Sequence, residues 1–189
     1  MAKTVRLGEI IAPAPLKKCG SDKYPVLSMT MHDGIMLQSD RFKKNLASSD
    51  TSNYKVVCRN QLVEGFPIDE GVIYVQKVVE AGIMSPAYRV WDIDTEKMEP
   101  DFLDLALHSD RAMQYYKMKL RGTTARRRSM PTPTLLAMEI CQPSKEEQLF
   151  CVEMMNDVQM AIDTLNDIHA KFDELVKSRL VADLEEVAA

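Results

Sequence analysis

Long apolar runs are missing from this chain. None approaches the roughly 18 residues a membrane-crossing helix needs, so no membrane span is expected. The opening stretch, Met1 to Ile10, lacks the apolar core and small-residue cleavage site of a secretory leader, so none is expected and a cytoplasmic location is. Glycine and proline are scarce, 7 and 9 in 189 residues, which excludes collagen-like and linker-dominated chains. The four cysteines, Cys19, Cys58, Cys141 and Cys151, are scattered with no C-x-x-C pair, so neither a disulfide scaffold nor a zinc ribbon is expected. Three widely separated histidines, His32, His108 and His169, offer little for a metal site. Neither glycine-rich phosphate loop, G-x-G-x-x-G or G-x-x-x-x-G-K-[ST], occurs, and neither H-E-x-x-H nor G-x-S-x-G does. A cysteine nucleophile is the remaining catalytic option. Cys151 sits on an apolar helical seam and Cys58 in a β-like run, where a small buried hydrophobe is the ordinary role. Asp92 and Asp94 read as solvated loop acids. No catalytic residue, no metal ligand and no cofactor of the chain's own is expected.

What is present is a globular composition, 46% hydrophobic and 28% charged, with charge spread unevenly. From Pro143 to Ala189 stand 4 basic and 11 acidic residues; the remainder holds 20 basic and 17 acidic. Tyr115 to Met130 carries Lys117, Lys119, Arg121, Arg126, Arg127 and Arg128 with no acid, and Arg41, Lys43 and Lys44 form a second, looser cluster. Such asymmetry suggests an anion-binding surface beside a separate solvated element. A solvated basic loop is the plainer alternative.

The C-terminal segment gives the clearest structural signal. Ser144 followed by Glu147 has the spacing of a capping box, and no Gly or Pro interrupts the chain from there. Apolar residues repeat every seven: Cys151, Val158, Leu165 and Phe172 at one seam position, Met154, Ala161, Ile168 and Leu175 at the other. That 4-3 stripe predicts a coiled-coil helix needing a partner helix. Residues 1–142 read as mixed and mostly β. Strand-like runs are Tyr24–Thr30, Lys55–Arg59, Gly71–Val79, Tyr88–Trp91 and Thr134–Ile140, bounded by turns such as Asp33-Gly34, Glu64-Gly65 and Ser85-Pro86. Helices are expected at Pro100–Leu107 and, with Ser109 as N-cap, at Ala112–Lys119. The expected class is α+β: a mixed, mostly-β domain over 1–142, then a long helix over 143–189.

Several stretches, taken in order, match a known family. They are Val5-Arg6-Leu7-Gly8-Glu9-Ile10, Tyr24 to Thr30, Asn53 to Val57 followed by Gly82 to Trp91, Pro100 to Leu103, and Ile140 to Gln148 with Pro143 and Glu146-Glu147-Gln148. The chain resembles the specificity subunit of type I restriction–modification systems. That resemblance implies a non-catalytic reader of double-stranded DNA, whose target-recognition domain reads sequence and whose long helix acts as spacer. It implies a partner modification subunit that binds S-adenosylmethionine and methylates adenine, and a separate restriction subunit. The family usually carries two recognition domains and two helical regions. This chain has one of each, so it reads as a half-size subunit, a natural truncation or a cut piece.

The residues suit that role. The basic segment can neutralise phosphates, and arginine can read guanine bidentately. The expected DNA face is Lys117, Lys119, Arg121, Thr124, Arg126, Arg127 and Arg128, with Arg41, Lys43 and Lys44 as a second wall. The expected dimer seam is Met154, Val158, Ala161, Leu165, Ile168, Phe172 and Leu175, pairing two copies as a homodimer on a bipartite target. The competing reading is a coiled-coil interaction adaptor that binds no DNA.

Overall fold

The computed structural model describes residues 3–31, 33–41, 50–120 and 130–188. Backbone contacts divide the chain into Met1–Leu149 and Phe150–Ala189. The first unit runs through β1 (Thr4–Arg6), a 3-10 turn (Leu7–Glu9), β2 (Ile11–Pro13), β3 (Leu27–Met29), β4 (Ile35–Leu37) and α1 (Gln38–Arg41). It continues with β5 (Lys55–Cys58), β6 (Leu62–Glu64), a second 3-10 turn (Ile68–Glu70), β7 (Ile73–Val75), β8 (Ala81–Met84) and β9 (Arg89–Ile93). Then come α2 (Pro100–Leu107), α3 (Asp110–Lys119), α4 (Thr132–Leu136), β10 (Glu139–Cys141) and the start of α5 (Lys145–Ala188). The class is α+β, mixed and mostly short strands followed by one long helix.

Among the described residues all the strand ladders are antiparallel. A four-stranded sheet has the order β2-β9-β6-β7, and three two-stranded ladders pair β1 with β10, β3 with β4, and β5 with β8. Inward residues of these strands, with Val72 just before β7, make one core cluster: Leu27, Met29, Ile35, Val57, Val63, Val72 and Met84. Burying each such side chain stabilises the fold by roughly 1.5–3 kcal/mol. The β3–β4 turn closes where Asp33-Gly34 predicts it: Gly34 takes φ +70, and the Asp33 N–H donates to Thr30 Oγ1 at 2.7 Å. Gly82 lets β8 approach the chain at Pro25, since a Cβ there would lie 2.6 Å from Leu27 Cδ1.

The helices start where their caps stand. Pro100 opens α2, a position where its missing N–H costs nothing. Ser109 caps α3, its hydroxyl accepting from the Ala112 N–H, and buried Tyr116 donates to the Leu107 carbonyl at 3.1 Å. At α5 the capping box forms in full: the Glu147 N–H donates to Ser144 Oγ at 3.3 Å, and the Ser144 N–H donates to Glu147 Oε2 at 2.8 Å. One helical turn on, fully buried Gln148 accepts from the Glu99 N–H at 2.8 Å and donates to the Lys97 and Pro143 carbonyls. This fixes the helix root on the loop before α2.

Two expectations are corrected. The run Thr134–Ile140 is not one strand: Thr132–Leu136 is helix α4, and only Glu139–Cys141 is strand. Pro133 in the first helical turn fits a helix start, where its missing N–H costs nothing, and Leu135 buries fully beneath it. Glu64, read as part of a turn, ends strand β6 at 2% exposure. An ion pair satisfies its carboxylate there, which a polar-means-loop reading cannot anticipate.

The second unit, from Phe150, is a single uninterrupted helix through Ala188. At about 1.5 Å per residue, the 44 residues of α5 extend roughly 66 Å.

Candidate nucleic-acid interface

Of the expected DNA face, Lys117 and Lys119 are placed in the last turn of α3, both exposed, with Lys119 Nζ 5.5 Å from the centre of the Tyr115 ring. Cations there also complement the negative helix end, so their position has a structural use as well. The backbone of Arg41 ends α1. Lys43, Lys44, Arg121, Thr124, Arg126, Arg127 and Arg128 lie outside the described residues.

The basic stretch Tyr115–Met130 is anchored at two points: Leu120 within it and Met130 at its end are buried. Behind Met130 stands a polar clamp on the central sheet. The Arg89 guanidinium donates to the Met130 carbonyl and, at 2.6 Å, to Thr132 Oγ1, and it pairs with the Glu64 carboxylate. Trp91 Nε1 donates to the other Glu64 oxygen at 3.3 Å. Burial pushes the Glu64 carboxyl up to about 7, against the opposing pull of Arg89 and Trp91. The clamp thus ties β6 and β9 to the chain leaving the basic segment.

Next to the clamp lies a cleft of about 340 Å³ that no single stretch of sequence announces. Pro13, Ala14, Pro15, Leu16 and Lys17 form one wall, Lys55 and Val56 of β5 a second, and Arg89, Val90 and Trp91 of β9 with Thr132 the rest. The backbone builds it: the Ala14 N–H donates to the Val90 carbonyl at 3.0 Å, and the Val56 N–H to the Lys17 carbonyl at 2.8 Å. Three cations line it and no acid does. Lys17 Nζ donates to the Tyr24 hydroxyl at 3.1 Å, and Lys55 Nζ donates to the Tyr88 carbonyl. Burial first, and the Arg89 cation second, hold the Lys55 ammonium below the usual lysine range.

On α5, the expected seam is uncovered in the single chain. Leu165, Phe172 and Leu175 are 63–69% exposed, and Met154, Val158 and Ile168 are 47–57% exposed. Ala161 is exposed too. Met155, Ile162 and Val176 lie one position beyond it, each more than 40% exposed, so the apolar stripe is wider than the two-position seam read from the heptads. Cys58 and Cys151, read as small buried hydrophobes, are both exposed. Asp94 turns toward Lys97 at 2.7 Å, which holds its carboxyl below the usual range, and Asp92 accepts from Gln61 at 2.6 Å. No group of three or more potential metal ligands occurs among the described residues, and none of their helices is long and apolar enough to cross a membrane.

No protein-family profile and no curated protein sequence matches the chain. Solved structures do. The crystal structure of the HsdS subunit from Thermoanaerobacter tengcongensis superposes with a TM-score of 0.62, over 89% of this chain and 44% of that one, at 16% identity. A structure described as the basis of complex assembly and conformational transition of the type I R-M system superposes with a TM-score of 0.55, over 93% of this chain and 42% of that one, also at 16% identity. The chain has the fold of type I specificity subunits. It spans less than half the length of either of these two chains.

In this HsdS-like fold the sheet, the clamp and the cleft belong to the first unit, and the bare seam to the second. Only the basic segment and the seam were legible in the sequence. The cleft was not, because Lys17, Lys55 and Arg89 are far apart along the chain; the doublet Lys17-Lys18 was its one local trace.

Proposed function

We propose that this chain is a half-length, non-catalytic DNA-recognition subunit of a type I restriction–modification complex. The observation that carries the reading is the HsdS-type fold over 89–93% of the chain. The first unit reads double-stranded DNA through the basic segment Lys117–Arg128, with Arg41, Lys43 and Lys44 as a second wall. Phosphate contacts there release counterions and set register, and one or more arginines read base edges. The helical region 143–189 pairs with that of a second copy through Met154, Val158, Ala161, Leu165, Ile168, Phe172 and Leu175. Two copies then present two readers to a bipartite target, replacing the tandem arrangement with a symmetric one. Methyl transfer belongs to a modification subunit carrying S-adenosylmethionine, and cleavage to a restriction subunit, in the cytoplasm.

Binding to random-sequence and selected duplexes across a salt series tests this, with and without a modification subunit from the same genome. Salt-dependent binding and a preferred sequence are expected, with each of Arg126→Ala, Arg127→Ala and Arg128→Ala changing one or the other. Loss of a phosphate contact lowers the salt slope by about one, and loss of a base contact costs about 1–3 kcal/mol at one position. A chain that binds no duplex in either state, yet captures a helical protein through α5, is the interaction adaptor instead.

A further inference from the structure

We infer that the cleft between Pro13–Lys17, β5 and β9 is a phosphate-binding subsite, with Lys17, Lys55 and Arg89 as its cationic walls. The inference rests on the DNA reading for its preferred ligand, a backbone phosphodiester, but the site's chemistry stands by itself. Phosphate monoesters and diesters share it.

Three features point to an anion. The first is unbalanced charge. The cleft's lining holds three cations and no carboxylate. Among the described residues, neither Lys17 nor Lys55 has an ion-pair partner; each donates to a neutral oxygen instead. Glu64, 1% exposed, pairs with Arg89 and accepts from Trp91, and Asp22 acts on Lys17 from outside the lining without an ion-pair contact. The Arg89 and Lys55 charges still repel, and an incoming anion offsets that cost. The second feature is preorganisation. Arg89 is fixed by Glu64, Met130 and Thr132, and the Lys17 and Lys55 backbones are tied together by the Val56 N–H. Little side-chain freedom remains to be lost on binding at Arg89. The third is position: Thr132 on the cleft's rim and Met130 beside it are both held by Arg89, so the cleft adjoins the clamp. The apolar walls, Pro13, Pro15, Leu16 and Val90, suit the sugar face of a nucleotide.

The test uses the full chain, with and without a modification subunit, and three probes: a labelled duplex, a nucleoside monophosphate and inorganic phosphate. Lys17→Gln and Lys55→Gln each remove one charge from the cleft, and Lys171→Gln on α5 removes one elsewhere. Arg89 is left intact because it also holds the fold. Duplex affinity is read by anisotropy across salt, and the small probes by calorimetry. Either cleft variant should weaken duplex binding about tenfold and lower the salt slope by about one, while Lys171→Gln changes neither. If wild type binds duplex and both cleft variants keep its affinity and slope, the subsite is refuted and the DNA reading survives. If wild type binds no duplex but binds the monophosphate or phosphate in a Lys55-dependent way, the subsite stands and the DNA reading falls. Binding of none of the three probes refutes both.

Discussion

Glu64 and Arg89 stand directly opposite each other in the register of β6 and β9, and their side chains close an ion pair across the two central strands. The Glu64 side chain is 1% exposed and that of Arg89 is 31% exposed. The pair is therefore asymmetric: the acid is sealed in, and the base reaches outward to Met130 and Thr132. Removing the base should hurt far more than removing both. Arg89→Met is expected to destabilise the chain by about 3–5 kcal/mol, because it strands a buried carboxyl. Glu64→Leu combined with Arg89→Met should recover most of that loss. Denaturant unfolding of the two variants beside wild type checks it; a double variant as unstable as the single would show the pair is not what matters.

The same carboxyl predicts a pH dependence. Its folded pKa, about 7, is above the ordinary glutamate value, with burial as the main cause. The folded state then holds this proton where the unfolded state has lost it. The stabilisation is fully present below the unfolded pKa near 4.5 and is lost as pH rises through about 7. Stability should fall by up to roughly 3 kcal/mol across that window from this group alone. Glu64→Gln should flatten the decline. A pH series of thermal melts for both proteins decides, and identical slopes would overturn the assignment to Glu64.

The sequence made some of this legible and hid the rest for physical reasons. Helices α2, α3 and the start of α5 carry their own boundary chemistry, Pro100, Ser109 and the Ser144–Glu147 box, so their starts could be read locally. Strands β1, β2, β4 and β6 are three residues long, too short to show alternation, and exist because distant partners pair with them. β1 pairs with β10, from the other end of the unit. Helix α4 hid inside an apolar run because Leu135 and Ile140 look alike whether their neighbours are helix or strand; Pro133 was the overlooked signal. The cleft is the extreme case, since its charges meet only through long-range pairing.

Gln148 offers a third prediction. It is the one side chain of the α5 root that is both fully buried and polar, and it serves the Glu99 N–H, the Lys97 carbonyl and the Pro143 carbonyl together. Gln148→Ala takes this partner from the Glu99 N–H and the Pro143 carbonyl, while the Lys97 carbonyl keeps Gln142 Nε2 at 3.3 Å, at a cost of about 1–3 kcal/mol for each group not reached by water. Gln148→Glu keeps the acceptor for Glu99 but loses both donations, so it should be at least as harmful. Hydrogen exchange at the Glu99 amide should quicken in the Ala variant and not in Glu. Unchanged exchange in Gln148→Ala would mean another group holds that amide.

The last prediction concerns α5. A stripe of this length left open to water is costly, and its period of seven selects another helix as cover rather than a globular surface. Leu165 and Ile168 are adjacent rungs of the stripe, 64% and 57% exposed in the single chain. Leu165→Asp with Ile168→Asp leaves the helix exposed and charged, which a lone chain tolerates because nothing there is buried. In a paired helix the same two carboxylates would face an apolar seam without partners, and each would oppose association by several kcal/mol. The variant should therefore keep its first unit folded, with unchanged Trp91 fluorescence, and run as a monomer where wild type runs as a dimer. Light scattering over a concentration series measures both. A wild-type chain that stays monomeric throughout sinks homodimerisation and leaves the seam to a partner subunit's helix. In that case the double variant should fail to bind the modification subunit, and a pull-down between the two reports it.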